Sequence, residues 1–237
     1  MLKIKNFSKS YKNGKKAVDN VSITLNPGEI FAFIGHNGAG KTTTIKAIVG
    51  ILEFEEGDIF IDGVSIKEDP IGCKRKIAYI PDNPDIYDSL TGIQYLNFVG
   101  DIYEVSKEER EKLIKFYAEK FEIMPALGDL ISSYSHGMKQ KLVIISALIH
   151  KPSLLILDEP FVGLDPKASH LLKEEMKELC REGASIFFST HVLEVAEKIC
   201  DKVAIIQGGK IVAEGRMDEV KGDSSLEDIF MELIDNE

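Results

Sequence analysis

Cysteine is scarce in this chain: Cys73, Cys180 and Cys200 are widely spaced, odd in number and form no C-x-x-C pair. That argues against a disulfide framework and predicts reduced, mostly buried thiols in a cytosolic protein. Long apolar runs are missing too. No stretch approaches the roughly 18 consecutive apolar residues that cross a bilayer. The opening Met1-Leu2-Lys3-Ile4-Lys5 alternates charged and apolar residues, unlike a signal peptide. Any service to a membrane is therefore expected from its cytosolic side, through another chain. Positive charge is in deficit, 29 Lys and Arg against 39 Asp and Glu, for a net charge of −10. This argues against nucleic-acid binding through a broad basic surface. The sequence also lacks internal repeats and low-complexity linkers. What remains is an ordinary balance of 44% hydrophobic and 29% charged residues over 237 positions, enough for one large α/β domain or one domain with lobes.

Against that background stands Gly35-His36-Asn37-Gly38-Ala39-Gly40-Lys41-Thr42-Thr43, which fits the phosphate-binding pattern G-x-x-x-x-G-K-[ST]. Glu29–Ile34 before it reads as a buried strand and the residues from Thr44 to Val49 as a helix, the context the pattern requires. A triphosphate concentrates negative charge, and backbone N–H groups of a tight loop, with the positive end of the following helix, can all face it. Gly35, Gly38 and Gly40 let the backbone turn and approach without a Cβ. Lys41 supplies a point charge to the β- and γ-phosphates and Thr42 a hydroxyl to Mg²⁺. The implied ligand is a nucleoside triphosphate with Mg²⁺.

Residues 2–25 and 57–66 alternate polar and apolar side chains, as in Val21-Ser22-Ile23-Thr24-Leu25, and read as partly solvated antiparallel strands, with Asp62-Gly63 a turn between two of them. Ile30–Ile34, Leu154–Leu157, Ser185–Ser189 and Val203–Ile206 are apolar throughout, or nearly so, as strands covered on both faces require. Helical patterns lie between them, an α/β arrangement. Residues 88–150 carry almost no strand signal. Ser106-Lys107-Glu108-Glu109 predicts a capping box opening a helix through Phe121, and a second helix runs from about His136 to His150, closed by Pro152. A helical lobe inserted into an α/β core is the simplest account.

The apolar strand Leu154–Leu157 ends in Asp158-Glu159. Beside a phosphate loop, such an acid holds Mg²⁺ directly or through water, and the next one orients or deprotonates a water that attacks the γ-phosphate. Tyr134-Ser135-His136-Gly137-Met138 opens the second helix. By pattern alone it is a plain N-cap; it also makes a second anion site of helix N–H groups and a hydroxyl.

In this order, the motifs resemble the ATP-binding subunit of an ATP-binding cassette (ABC) transporter, over essentially the whole chain. Gly35–Thr43 corresponds to Walker A and Leu154–Glu159 to Walker B with its catalytic glutamate. Ser135-His136-Gly137-Met138 stands at the signature, usually S-G-G-Q. Gly163-Leu164-Asp165-Pro166 matches the D-loop, Ser189-Thr190-His191 the switch histidine, and Tyr11 the aromatic residue that stacks on adenine. The resemblance implies an α/β fold, a P-loop NTPase (RecA-like) core with an antiparallel β lobe and an inserted α-helical lobe. The β lobe takes residues 1–30 and 52–68, the core 30–51, 69–86 and 150–215, the helical lobe 87–149, and a C-terminal helix or tail 216–237. It implies ATP and Mg²⁺ as ligands. Tyr11, Gly35, Asn37, Gly38, Gly40, Lys41, Thr42 and Thr43 hold the nucleotide. Ser135, Gly137 and Asp165 act across a dimer. Thr42, Asp82 and Asp158 are the metal-site residues, and Glu159, His191 and Lys41 carry the chemistry.

The implied partners are a second ABC subunit, identical or similar, and a membrane-spanning permease subunit at the inner face of the cell membrane, with no nucleic acid. Two positions depart from the family. His136 and Met138 replace the usual Gly and Gln of the signature, and Asp82 in Ile80-Pro81-Asp82-Asn83 replaces a Gln that contacts Mg²⁺ and the attacking water. Tyr79–Pro84 followed by Leu90-Thr91-Gly92 and Tyr95-Leu96 is similar to exporter-type subunits with a separate membrane chain. The competing readings are a soluble ABC protein acting on nucleic acid or ribosomes, disfavoured by the acidic balance and the single uninterrupted cassette, and a low-turnover regulatory cassette, disfavoured by Glu159 and His191.

Overall fold

The computed structural model describes residues 1–11, 14 and 16–235. Two sheets make its frame. The smaller joins β1 (Leu2–Ser10), β2 (Lys16–Leu25), β4 (Glu56–Ile61) and β5 (Val64–Ser65) in the order β2-β1-β4-β5, antiparallel throughout. Leu2, Ile4 and Phe7 of β1 and Val18, Val21, Ile23 and Leu25 of β2 are buried, while Lys3, Lys5, Ser22 and Thr24 face water. The period of two thus survives, interrupted by bulges along β1. Asp62 and Gly63 both have positive φ, as a two-residue hairpin turn demands.

The larger sheet contains β3 (Ile30–Ile34), β6 (Ile77–Ile80), β7 (Leu154–Asp158), β8 (Ser185–Thr190), β9 (Lys202–Gln207) and β10 (Lys210–Arg216), ordered β10-β9-β3-β8-β7-β6. All its pairings are parallel except β9 with β10, an antiparallel edge. Every residue of β3, β7 and β8 is buried, which explains their unbroken apolar runs. Phe31, Phe33 and Phe187 fill the face turned to the smaller sheet, with Phe31 and Phe187 stacked at 5.4 Å; Ile30, Ala32, Ile34, Ile186 and Phe188 fill the other.

Helices α1 (Lys41–Ile48) and α2 (Pro70–Arg75) lie between strands early in the chain. Residues 92–148 hold α3 (Gly92–Ile102), α4 (Lys107–Lys120) and α5 (His136–Leu148). The reciprocal capping box is at Thr91 and Gln94, before α3. At α4 the expected box is only half made. Ser106 accepts the Glu109 N–H, but the Glu109 carboxylate is drawn off to Lys151, an ion pair outcompeting a backbone N–H. Helix α6 (Pro166–Arg181) is capped by Asp165 with Pro166 in its first turn, and α7 (Leu193–Ile199), α8 (Met217–Lys221) and α9 (Leu226–Asp235) complete the chain. The carboxyl ends of β3, β6, β7 and β8 carry Gly35, Pro81, Glu159 and His191 at once, so the motif residues emerge along one edge of the sheet.

Candidate active site

The loop after β3 turns through Gly38 (φ +83°) and Gly40 (φ +116°), backbone states that only glycine holds without strain. A Cβ on Gly40 would lie 2.7 Å from the Ala17 carbonyl. Gly35 is not among the glycines with positive φ; what excludes a side chain there is the β9 backbone, whose Ile206 carbonyl would sit 2.4 Å from the added atom. Helix α1 begins at Lys41 with no side-chain cap, which leaves its first-turn N–H groups to an anion. Asn37, Gly38, Gly40, Lys41, Thr42 and Thr43 line one cleft, together with His36, Ala17, Asp82 and Glu159. The Tyr11 hydroxyl stands 3.3 Å from the Thr43 hydroxyl, with the ring about half exposed at the mouth of the loop.

Lys41 is 5% exposed. Its Nζ donates to the carbonyls of Gly35 (2.6 Å) and His36 (3.3 Å) and lies 3.4 Å from Glu159 Oε1. A buried ammonium is thereby solvated by the loop it serves, at the spot where phosphate oxygens would arrive. Across from it, Asp158 is fully buried. Burial pushes its carboxyl above the ordinary range, opposed by the Ser189 and Thr42 hydroxyls and reinforced by the charges of Asp82 and Glu159. Ser189 Oγ donates to Asp158 Oδ1 at 2.5 Å, while Oδ2 has no hydrogen-bond partner.

Glu159 sits at φ +48°, uncommon for a non-glycine residue. The turn is held by its own N–H, shared between the Ser189 carbonyl (3.2 Å) and hydroxyl (3.1 Å). This aims Oε2 at His191, whose Nδ1 is 2.9 Å away and whose backbone N–H donates at 3.3 Å. Glu159 Oε1 is buried without a hydrogen-bond partner, near Lys41. Asp82 lines the cleft but is exposed, and Oδ1 accepts the N–H of Asn83 at 2.8 Å, a local turn that holds the short side chain back.

At the other end of the molecule's motif set, Ser135 caps α5 by accepting the Met138 N–H at 3.3 Å. The imidazole of His136 lies against Gly163, where a Cβ would meet ring carbon Cδ2 at 2.5 Å. Gly137 backs onto the same loop, with the Gly163 carbonyl 3.2 Å from where a Cβ would be. Asp165 accepts the Ala168 N–H and pairs with Lys141 of α5 at 2.8 Å, which holds its carboxyl below the usual range. Among the described residues, no hydrogen bond or ion pair joins Ser135, Gly137 or Asp165 to the phosphate loop.

Sequence reasoning passed over three participants. Ser189 anchors both acids at once, and its signal was a polar residue directly after the apolar run Ile186-Phe187-Phe188. Lys141 braces Asp165, a pairing between distant segments with no sequence signature. Phe230 of α9 meets the His36 ring at 5.0 Å, again with no local cue.

The ABC transporter family profile matches residues 18–162. The chain is 38% identical over 238 residues to the ABC-type transporter ATP-binding protein EcsA of Bacillus subtilis, covering 98% of this chain and 96% of EcsA. A solved ATP-binding subunit of an ABC transporter is 37% identical and superposes with a TM-score of 0.94, covering 99% of both chains. The ATP-binding cassette MJ0796, solved as a dimer in a post-hydrolysis state with ADP and Pi, is 25% identical with a TM-score of 0.83, covering 92% of this chain and 99% of that one.

Proposed function

This chain belongs to the ABC transporter family, with the ABC ATPase fold of an ATP-binding and ATP-hydrolysing subunit, and on that premise we propose that two such subunits close over two ATP molecules to drive export through a separate membrane chain. Each ATP lies between the Gly35–Thr43 loop of one subunit and the Ser135–Gly137 helix start of the other. The observation that carries this reading is the split of the motif set. The phosphate loop, Asp158, Glu159 and His191 form one connected cluster, while Ser135, Gly137 and Asp165 stand apart, joined to the phosphate loop by no hydrogen bond or ion pair among the described residues. The dimeric post-hydrolysis state of MJ0796 supports it.

Within a site, Lys41 turns from its loop carbonyls to the β- and γ-phosphates, Tyr11 stacks on the base, and Asn37, Gly38, Gly40 and Thr43 follow the phosphates. Thr42 and Asp158 suit Mg²⁺. Asp158 Oδ2 is buried and unpartnered, and no cluster of three or more His, Cys, Asp or Glu among the described residues forms a metal cage by itself. That is the donor set of an ion that completes its shell with phosphate oxygens and water. Bound there, Mg²⁺ would neutralise charge on the transferring phosphoryl group. Asp82 borders the same space, with Oδ1 engaged by the Asn83 N–H. Glu159 accepts a proton from the water that attacks the γ-phosphorus as the bond to the ADP oxygen breaks. His191 orients that carboxylate and contacts the γ-phosphate. With the phosphate gone, the bridge between subunits is lost and they part.

The membrane partner is placed on the helical segment. Tyr87 and Phe98 form an exposed edge-to-face pair at 5.6 Å, just beyond Asp82, apolar surface suited to a cytosolic loop of a permease at the inner membrane face. The decisive experiment is light scattering of Glu159→Gln with ATP. The variant binds ATP, stops turnover and accumulates as a dimer; a monomer at saturating ATP sinks the sandwich. Purification from membranes tests the rest, since a polytopic partner supports transport, whereas bound RNA would point to a nucleic-acid-directed cassette.

A further inference from the structure

Position 36 is one of the unspecified places in the phosphate-loop pattern, so nucleotide binding alone does not ask for an aromatic ring there. In this chain His36 meets one. Phe230 of α9 is 7% exposed, and its ring centre lies 5.0 Å from that of His36 at an interplanar angle of 56°. Asn37, Ile205 and Gly208 line the small cleft beside the two rings. Helix α9 is itself tied down at its start. The Leu226 side chain is fully buried, its N–H donates to Glu197 Oε2 of α7 at 3.3 Å, and the other Glu197 oxygen pairs with Lys221 of α8. Helix α7 starts two residues after His191.

The contacts close into a ring around the reacting centre. Lys41 meets Glu159 at 3.4 Å, Glu159 meets His191 at 2.9 Å, His191 leads into α7, α7 holds α9 through Glu197, and α9 returns to the phosphate loop through Phe230 and His36. We propose that Phe230 is a positioning residue for nucleotide binding. Through His36 it sets the phosphate loop, and through α9 it ties that loop to the helix that follows the switch histidine. Ring pairs at this separation have preferred mutual orientations and contribute beyond the area they bury. The His36 ring meets Phe230 while the His36 carbonyl accepts from Lys41 at 3.3 Å, so the effect falls on loop geometry and hence on ATP affinity.

The inference rests on Gly35–Thr43 being the ATP loop, and the test separates the two. Titrate the purified full chain with a fluorescent ATP analogue and Mg²⁺, and measure steady-state ATP hydrolysis, for wild type, Phe230→Ala, Phe230→Leu, His36→Ala and the Phe230→Ala/His36→Ala double variant. Phe230→Ala weakens nucleotide binding and raises KM by about 2- to 10-fold, the range an aromatic pair supports, with kcat within about twofold. Phe230→Leu, which keeps an apolar side chain and the fold, loses most of the same affinity. The double variant binds no more weakly than the worse single variant, because both remove one contact. Unchanged affinity in Phe230→Leu, additive losses in the double variant, or a fall in kcat alone would overturn the proposal. Wild type that fails to bind the analogue would instead overturn the reading of the loop.

Discussion

The two ends of the motif set are built differently. At the phosphate-loop end, charges are buried and interlocked: Lys41 on its own carbonyls and near Glu159, Glu159 on His191, Asp158 on Ser189. At the signature end, Ser135 is exposed, and Lys141 of α5 pairs with Asp165, the half-exposed cap of α6. The first end holds the groups that must be preorganised before a substrate arrives, where low polarity makes each contact count. The second presents only a helix terminus and a hydroxyl, which in the proposed sandwich would meet a nucleotide carried by another subunit. On that reading a complete centre arises when two dissimilar halves meet, one stiff and costly to build, the other a plain helix start.

The sharpest way to break that comparison is Glu159→Gln. Turnover is expected to fall by about 10²- to 10⁴-fold, the contribution of a general base, with ATP affinity within twofold, read by phosphate release and nucleotide titration. Lys41→Ala removes a charge-assisted contact to phosphate and should weaken ATP binding to the isolated chain by about 10- to 100-fold, as hydrogen bonds to charged groups contribute roughly 1.5–3 kcal/mol. Ser135→Ala acts on the other half. It leaves that isolated-chain affinity unchanged and weakens ATP-driven dimerisation in the Glu159→Gln background by several-fold, the loss of a helix cap costing about 1 kcal/mol. A drop in isolated-chain affinity equal to that of Lys41→Ala would erase the distinction between the ends.

Asp158→Asn tests the cost of stiffness. The folded-state carboxyl of Asp158 is raised, so its contribution to stability is present at low pH and is lost as pH rises through the raised value. The neutral amide keeps the Ser189 contact and escapes that loss. Without nucleotide or metal, the variant should melt about 2–6 °C higher than wild type near pH 8, from roughly 1–2 kcal/mol of relieved burial, and the gain should shrink toward pH 4. Calorimetry at the two pH values decides it. Asp82→Gln, at the exposed edge of the cleft, should change ATP affinity by less than about threefold, since exposed charges interact weakly; a larger change would give Asp82 a share in the stiff half.

Much of this was legible in the sequence because it is written locally. The glycines of the phosphate loop, the apolar strand ending in Asp158-Glu159, the Ser135 cap and Asp165 before Pro166 are each set within a few residues. The unbroken apolar runs of β3, β7 and β8 likewise announce a parallel sheet covered on both faces. What escaped was set by distant neighbours. Nothing near Glu109 says that Lys151 will take its carboxylate from the cap, and nothing near Gly35 says that the β9 carbonyl of Ile206 is what forbids a side chain. Ser189 sits 31 residues from the acid it orients and joins it only because β7 and β8 are neighbours.

The packing of His136 on Gly163 and the Lys141–Asp165 pair make the signature and the loop that follows Glu159 one body. That loop begins four residues after Glu159, so the segment leaving the acid and the signature move together within one subunit. In the proposed sandwich, where the signature would face the nucleotide of the other centre, a shift at Glu159 would reach the surface gripping the second nucleotide. The two centres of such an assembly would be geared together, and neither could run at its own pace.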